Sequence, residues 1–203
     1  MLFNSFDFLV FLPIVFLLYW FVFRGRRWQN LLVVVASYVF YGWWDWRFLI
    51  LIVITSASSF VSGLLIKRYE GRRPVQKAVS AVNIVLNLGI LAVFKYFNFI
   101  AGAIADLAGL FALKVHPMTL KLLLPVGISF YTFQTLGYVI DVYRGEVKAE
   151  RNFWAYAAFI SYFPQLVAGP IERTRNLLPQ IKAYHEFDYA QAVYGVKLMA
   201  WGF

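Results

Sequence analysis

Long apolar runs separated by short polar breaks fill the whole chain. They fall at residues 6–23, 28–44, 48–66, 79–94, 100–113, 120–142, 153–167 and 187–203. At about 1.5 Å per residue the first run reaches about 27 Å, close to the hydrocarbon thickness of a bilayer. The run 100–113 is short and contains Gly102, Asp106 and Gly109. It fits a tilted span, a re-entrant segment or an interfacial helix. The run 120–142 is broken near its start by Pro125 and Gly127, and the run 153–167 is followed by the break Gly169-Pro170-Ile171-Glu172-Arg173. Residues 176–184 predict a short amphipathic helix at the interface, with Leu177, Leu178, Ile181 and Tyr184 on one side. The pattern predicts an all-α, polytopic integral membrane protein built as one transmembrane domain.

Charge placement orients the runs. No Lys or Arg precedes the first run, and Arg24, Arg26 and Arg27 follow it. No small-residue cleavage site ends it, so it reads as an uncleaved helix with its amino end outside. Lys67, Arg68, Arg72, Arg73 and Lys77 follow the third run, where Gly71 and Pro74 break the helix. Two spans separate the two basic clusters, as the positive-inside rule requires. Tyr41, Gly42, Trp43, Trp44, Asp45 and Trp46 form a predicted aromatic patch at the opposite interface.

Composition removes the soluble classes. Hydrophobic residues make up 62% of the 203 positions and charged residues 14%, against about 25% charged in an ordinary globular chain. The net charge of +9 reads as topology and lipid-headgroup contact rather than nucleic-acid binding. With no cysteine and two histidines, the chain has no thiolate chemistry and no predicted metal site.

Polar groups inside apolar runs are costly unless paired, so they are the candidates for function. Tyr131, Gln134, Tyr138 and Asp141 fall at i, i+3, i+7 and i+10 on one predicted helix face, with Ser129 and Thr132 nearby. Such a face lines a water-filled cavity, or else it supplies interhelical hydrogen bonds and interfacial tyrosines. In the second stretch, Pro164 and Pro170 break the helix and free backbone carbonyls. Gln165, Glu172 and Arg173 are placed there to satisfy those groups, to meet a polar ligand, or to form an interfacial Glu–Arg pair. His116 and His185 read as solvated loop histidines. Residue physics thus reaches a polytopic membrane protein with polar residues toward an intramembrane cavity, and leaves enzyme and transporter both open. Internal inverted repeats, the mark of many transporters, are not visible.

Several stretches carry a resemblance. Residues 1–5 (MLFNS), 38–44 (YVFYGWW), 94–98 (FKYFN), 124–134 (LPVGISFYTFQ), 141–146 (DVYRGE), 163–173 (FPQLVAGPIER) and 177–180 (LLPQ) resemble the membrane-bound O-acyltransferase family. The match is closest to its bacterial branch that O-acetylates alginate, and it runs over the whole chain in order. The resemblance implies a helical bundle around a central channel in the bacterial inner membrane. It implies transfer of an acyl group from a thioester donor to a hydroxyl of a cell-envelope polymer, with no bound cofactor. It also implies periplasmic acetyltransferase partners. The family's signature histidine is expected beyond Phe203, so the chain reads as an amino-terminal part that is inactive alone. His116 and His185 do not take its role. Tyr131, Gln134, Asp141, Gln165, Glu172 and Arg173 are the residues expected to shape the channel or donor site. A non-catalytic membrane scaffold is the alternative.

Overall fold

The computed structural model describes residues 3–43, 45–110, 127–166, 169 and 172–202, with backbone alone at 98, 104–106 and 108–110. Asp106, His116, Pro125 and Pro170 therefore lie outside the described side chains. The described residues are helical and include no strand.

α1 (Phe6–Leu17) starts where Ser5 accepts a hydrogen bond from the Phe8 N–H at 3.2 Å. Asp7 sits in its first turn, where a negative charge meets the positive end of the helix dipole. A π turn at Leu18–Val22 continues it. α2 (Arg26–Gly42), α3 (Leu49–Arg68) and α4 (Arg73–Leu110) follow. The segments Trp46–Arg68 and Arg73–Phe97 are long and apolar enough to cross a membrane.

α4 is continuous over 38 residues, about 57 Å at 1.5 Å per residue. The sequence reading divided this region into runs 79–94 and 100–113. Lys95, Tyr96 and Phe97 resemble a membrane boundary, but none of them is a helix breaker. Gly102 costs about 1 kcal/mol in a helix interior, too little to end one alone.

A polar ladder holds α3, α4 and α5 (Ile128–Arg144) together. Asn83 exchanges side-chain hydrogen bonds with Ser59 at 3.3 Å. The Asn87 amide donates to the Asn83 carbonyl at 2.9 Å, and the Thr135 hydroxyl donates to Asn87 Oδ1 at 3.4 Å. All four residues are buried. In an apolar medium such contacts tie helices together where the hydrophobic effect cannot. Close packing completes the junction. A Cβ on Gly63 would lie 2.5 Å from the hydroxyl of the fully buried Tyr138.

The chain then folds into a hairpin. α6 (Phe153–Ser161) begins where Asn152 accepts from the N–H groups of Trp154 and Ala155. Every residue from 155 to 161 is buried. The helix stops at Tyr162 and restarts as α7 (Phe163–Leu166). The break follows from Pro164, which has no N–H to give the Ile160 carbonyl and whose ring clashes with the preceding turn. The Phe163 N–H and the Phe159 carbonyl also lose their helical partners, and both find others. The Phe163 N–H donates to Ser37 Oγ at 3.1 Å, and the Phe159 carbonyl accepts from Gln134 Nε2 at 2.9 Å.

Both ends of this hairpin lie at one end of the bundle. Phe153 adjoins Arg27 and Asn30 at the start of α2. Leu166 reaches the opposite end, where its carbonyl lies so close to Gly127 that a Cβ there would sit at 2.4 Å. Gly127 also has φ +79°, so only glycine fits without strain. The chain then returns, and Thr174 lies beside Asp141, near the far end of α5. α8 (Thr174–Lys182) packs on α6 and α5. In it Leu178 is buried and Leu177 and Ile181 lie against the core, as the sequence predicts. Tyr184 lies beyond the helix and is exposed, because the helix ends at Lys182. α9 (Tyr189–Gly202) has no buried residue.

The basic clusters converge at the end where the hairpin starts and finishes. Arg26 donates to the Lys182 carbonyl at 3.1 Å, and Arg73 donates to the Tyr143 carbonyl at 3.3 Å. Lys182 Nζ lies 2.7 Å from Glu150 Oε2. Glu150 is buried, which alone would raise its pKa. The hydrogen bond from Lys182, its charge, and the N–H groups of Asn152 and Arg151 outweigh burial and hold the carboxyl below the usual range.

Candidate functional site

Residues 172–174 and one face of α5 enclose a groove of ≈ 270 Å³. Phe133, Gln134, Gly137, Asp141 and Arg144 line it from α5, Glu146 from the turn after α5, and Glu172, Arg173 and Thr174 from the return. Helical periodicity places 134, 137, 141 and 144 along one face. α7 ends at Leu166, and residues 172–174 lie beside α5 at 141 and 144.

Four of the six predicted site residues meet here: Gln134, Asp141, Glu172 and Arg173. Their interactions differ. Gln134 is buried and commits its amide N–H to the Phe159 carbonyl, so it braces the broken helix as well as lining the groove. Asp141 is engaged by the Thr174 hydroxyl and by the positive charges of Arg173 and Arg144. Arg144 also forms an exposed ion pair with Glu146 at 3.9 Å. Glu172 accepts from Asn176 Nδ2 at 3.4 Å. The Glu172–Arg173 ion pair considered from sequence is not among the ion pairs of the described residues, and Glu172 accepts from Asn176 instead.

Tyr131 and Gln165 do not line the groove. Tyr131 is fully buried with its ring edge-on to Tyr41 at 6.4 Å, and both hydroxyls lack a well-formed hydrogen bond among the described residues. Of the predicted aromatic patch, Tyr41 is thus packed into the core, while Trp43 and Trp46 are exposed. Gln165 is buried beneath Gly169, whose Cβ would meet the Gln165 backbone at 2.6 Å, and its amide nitrogen has no partner among the described residues. Tyr138, predicted on the same face, turns to the core, where its hydroxyl accepts from the Glu150 N–H at 3.1 Å. The small-residue notch at Gly63 on α3 draws it there.

Sequence reasoning passed over the buried polar stripe. Thr55, Ser59 and Ser62 on α3, with Gln76, Ser80, Asn83 and Asn87 on α4, repeat at spacings of three or four. That period, inside otherwise apolar runs, was the available signal. His185 lies exposed with Nε2 2.8 Å from the Gln180 carbonyl, a loop position as expected. No cluster of metal-binding side chains occurs among the described residues.

The groove offers carboxylates to accept from hydroxyl groups and guanidiniums to hold anionic groups. Comparison with known proteins gives it context. No family model matches the chain, and no solved structure matches it. Curated proteins do. The chain is 39% identical over 181 residues to a protein of Pseudomonas aeruginosa named "Probable alginate O-acetylase AlgI", covering 89% of this chain and 34% of that protein. It is 41% identical over 183 residues to the protein of that name from Pseudomonas syringae, with the same coverage. It is 29% identical over 210 residues to a peptidoglycan O-acetyltransferase of Helicobacter pylori, covering 90% of this chain and 39% of that protein. The chain thus spans about a third of the length of the alginate O-acetylases it matches. Similarity of this level across nearly the whole chain, over the segments that build α5 and the hairpin, makes the chain similar to part of the alginate O-acetylases and, more distantly, of a peptidoglycan O-acetyltransferase.

Proposed function

We propose that the whole protein is a multi-pass O-acyltransferase that acylates a hydroxyl of a cell-envelope polysaccharide of the alginate type. The observation that carries this reading is the 39–41% identity to alginate O-acetylases over 89% of the chain. In it the 203 residues supply part of a polytopic helical bundle in the bacterial inner membrane. The basic end, with Arg24–Arg27 and Lys67–Lys77, faces the cytoplasm by the positive-inside rule, and the amino terminus faces out. The groove reaches Arg144 and Glu146 at the basic end of α5, the side where an acyl thioester is made. Asp141 and Glu172 then accept from polar groups of the passing substrate, and Arg173 and Arg144 hold its anionic parts. The base that activates the acceptor hydroxyl lies outside this chain, and periplasmic acetyltransferases complete the transfer. The peptidoglycan O-acetyltransferase relative fits the same chemistry on a different polymer.

The test is ester content. Deleting the gene should abolish O-acetyl ester on the secreted polymer, and the full-length gene should restore it. Asp141→Asn and Arg173→Ala in the full-length protein should lower ester content at least tenfold with membrane levels unchanged. Unchanged ester after gene deletion would refute the reading.

A further inference from the structure

A second cleft lies at the basic end of the bundle, between the start of α2 and the start of α6, away from the α5 groove. Its volume is ≈ 670 Å³, and Arg27, Trp28, Asn30, Arg151, Phe153 and Trp154 are among the residues that line it. No carboxylate lines it. The two ion pairs among the described residues, Arg144–Glu146 and Lys182–Glu150, leave both of its arginines without an acidic partner. Neighbouring Arg26 is different, since its guanidinium is committed to the Lys182 carbonyl.

Three further observations point to a ligand. α2 opens at Gly25 with no side-chain cap and no acidic residue in its first turn, so its free N–H groups add positive potential beside Arg27. Asn30 is 7% exposed, lines the cleft, and makes no side-chain hydrogen bond among the described residues. A ligand oxygen in the cleft would give this unpaired amide a partner. Trp28 and Trp154 are 60% and 50% exposed, and indoles so placed at the basic end of a membrane bundle sit at headgroup level. A comparable cleft between the α3–α4 turn and the end of α5 lacks this character. It contains Glu70, and its Arg73 is committed to the Tyr143 carbonyl and ring.

We propose that the α2–α6 cleft binds the phosphodiester headgroup of an anionic phospholipid. Arg27 and Arg151 hold the phosphate, Asn30 donates to it, and Trp28, Phe153 and Trp154 cover the upper acyl chains. The site lies at the base of the buried hairpin, so an occupied cleft stabilises the hairpin's entry point. The proposal requires membrane embedding and is independent of the acyltransferase reading.

The test uses the full-length protein in detergent, titrated with phosphatidylglycerol or phosphatidylcholine and followed by native mass spectrometry and thermal unfolding. Wild type should bind phosphatidylglycerol preferentially and unfold at higher temperature with it. Removing both charges in Arg27→Gln/Arg151→Gln should weaken phosphatidylglycerol binding about 30-fold, from about one surface cation's worth of attraction per arginine. The pair Arg68→Gln/Lys77→Gln removes two exposed charges from the same end without touching the cleft, and should leave the preference intact. Arg27→Lys/Arg151→Lys should fall between, because it keeps charge and loses the bidentate fork. It also serves if the glutamine pair folds poorly. Equal binding of the two lipids by wild type would overturn the proposal, as would equal loss in both glutamine pairs. Soluble glycerol phosphate that stabilises as well as the lipid would overturn a phospholipid as the occupant.

Discussion

α4 and the α6–α7 hairpin are both strongly apolar, yet they do opposite work. α4 is long and unbroken, and exposes Val82, Val85, Phe99 and Leu107 outward. It meets its neighbours through one stripe of Gln76, Ser80, Asn83 and Asn87. The hairpin is short, is broken at Tyr162, and buries every side chain from 155 to 161. In a bilayer an outward apolar face is solvated by lipid and needs no partner, whereas broken backbone must be enclosed by protein. An apolar run in such a chain therefore says little about its place until its breaks are read. Pro164 identifies the hairpin, and the absence of any proline after Pro74 in its first turn identifies α4.

The sharpest way to break this contrast is to remove an aromatic ring from each element. Phe159→Ala empties a fully buried site in the hairpin, and should cost about 3–5 kcal/mol, seen as loss of folded protein or a large fall in Tm in detergent. Phe99→Ala on α4, where the ring is 74% exposed, should change stability by less than about 0.5 kcal/mol. Equal effects would erase the distinction.

Gly127→Ala tests the hairpin's far end. The left-handed conformation alone costs a non-glycine residue about 1–3 kcal/mol, and the Leu166 carbonyl leaves no room for the new methyl group. Gly137→Ala, ten residues along the same helix and facing open space, should be neutral or slightly stabilising by the same assay.

Glu150 ties the hairpin's near end to α8. Glu150→Ala removes charged hydrogen bonds worth about 1.5–3 kcal/mol. Its pKa is lowered on folding, so its contribution is complete above the unfolded carboxyl pKa of about 4.3 and is lost as pH falls through the folded value. Wild type should thus lose stability below about pH 4.3 more steeply than Glu150→Gln, as measured by Tm against pH.

Ser37→Ala is the smallest of these perturbations. It strands the Phe163 N–H and should cost about 1 kcal/mol. Ser58→Ala, which leaves no buried backbone donor unpaired, should cost less.

Much of this was legible in the sequence, and the omissions have physical reasons. The apolar runs, the basic clusters, the breaks at Pro164 and the amphipathic α8 were all visible, because each depends on local chemistry. The convergence of Gln134 and Asp141 with Glu172 and Arg173 was half visible. Spacing put the first two on one face, but bringing the second two beside them needed the hairpin's return, a tertiary fact. Tyr131 and Gln165 were expected in the same site on intramembrane position alone. Packing decided otherwise, through the Tyr41 ring and the close approach of Gly169. The division of α4 came from treating Lys95 and its aromatic neighbours as a boundary, although membrane boundaries do not have to interrupt helices.

The central claim is that the hairpin enters and leaves at one end of the bundle, which puts Glu172 and Arg173 beside α5. The absence of cysteine in this chain permits a direct test by single-cysteine labelling of the full-length protein in oriented membranes. Arg72→Cys, Lys148→Cys and Arg175→Cys, all exposed positions, should react with a membrane-impermeant maleimide from the same face, and Trp46→Cys from the other. Labelling at 175 from the face that labels 46 would show that the segment crosses the membrane, and would contradict the groove and the site built on it.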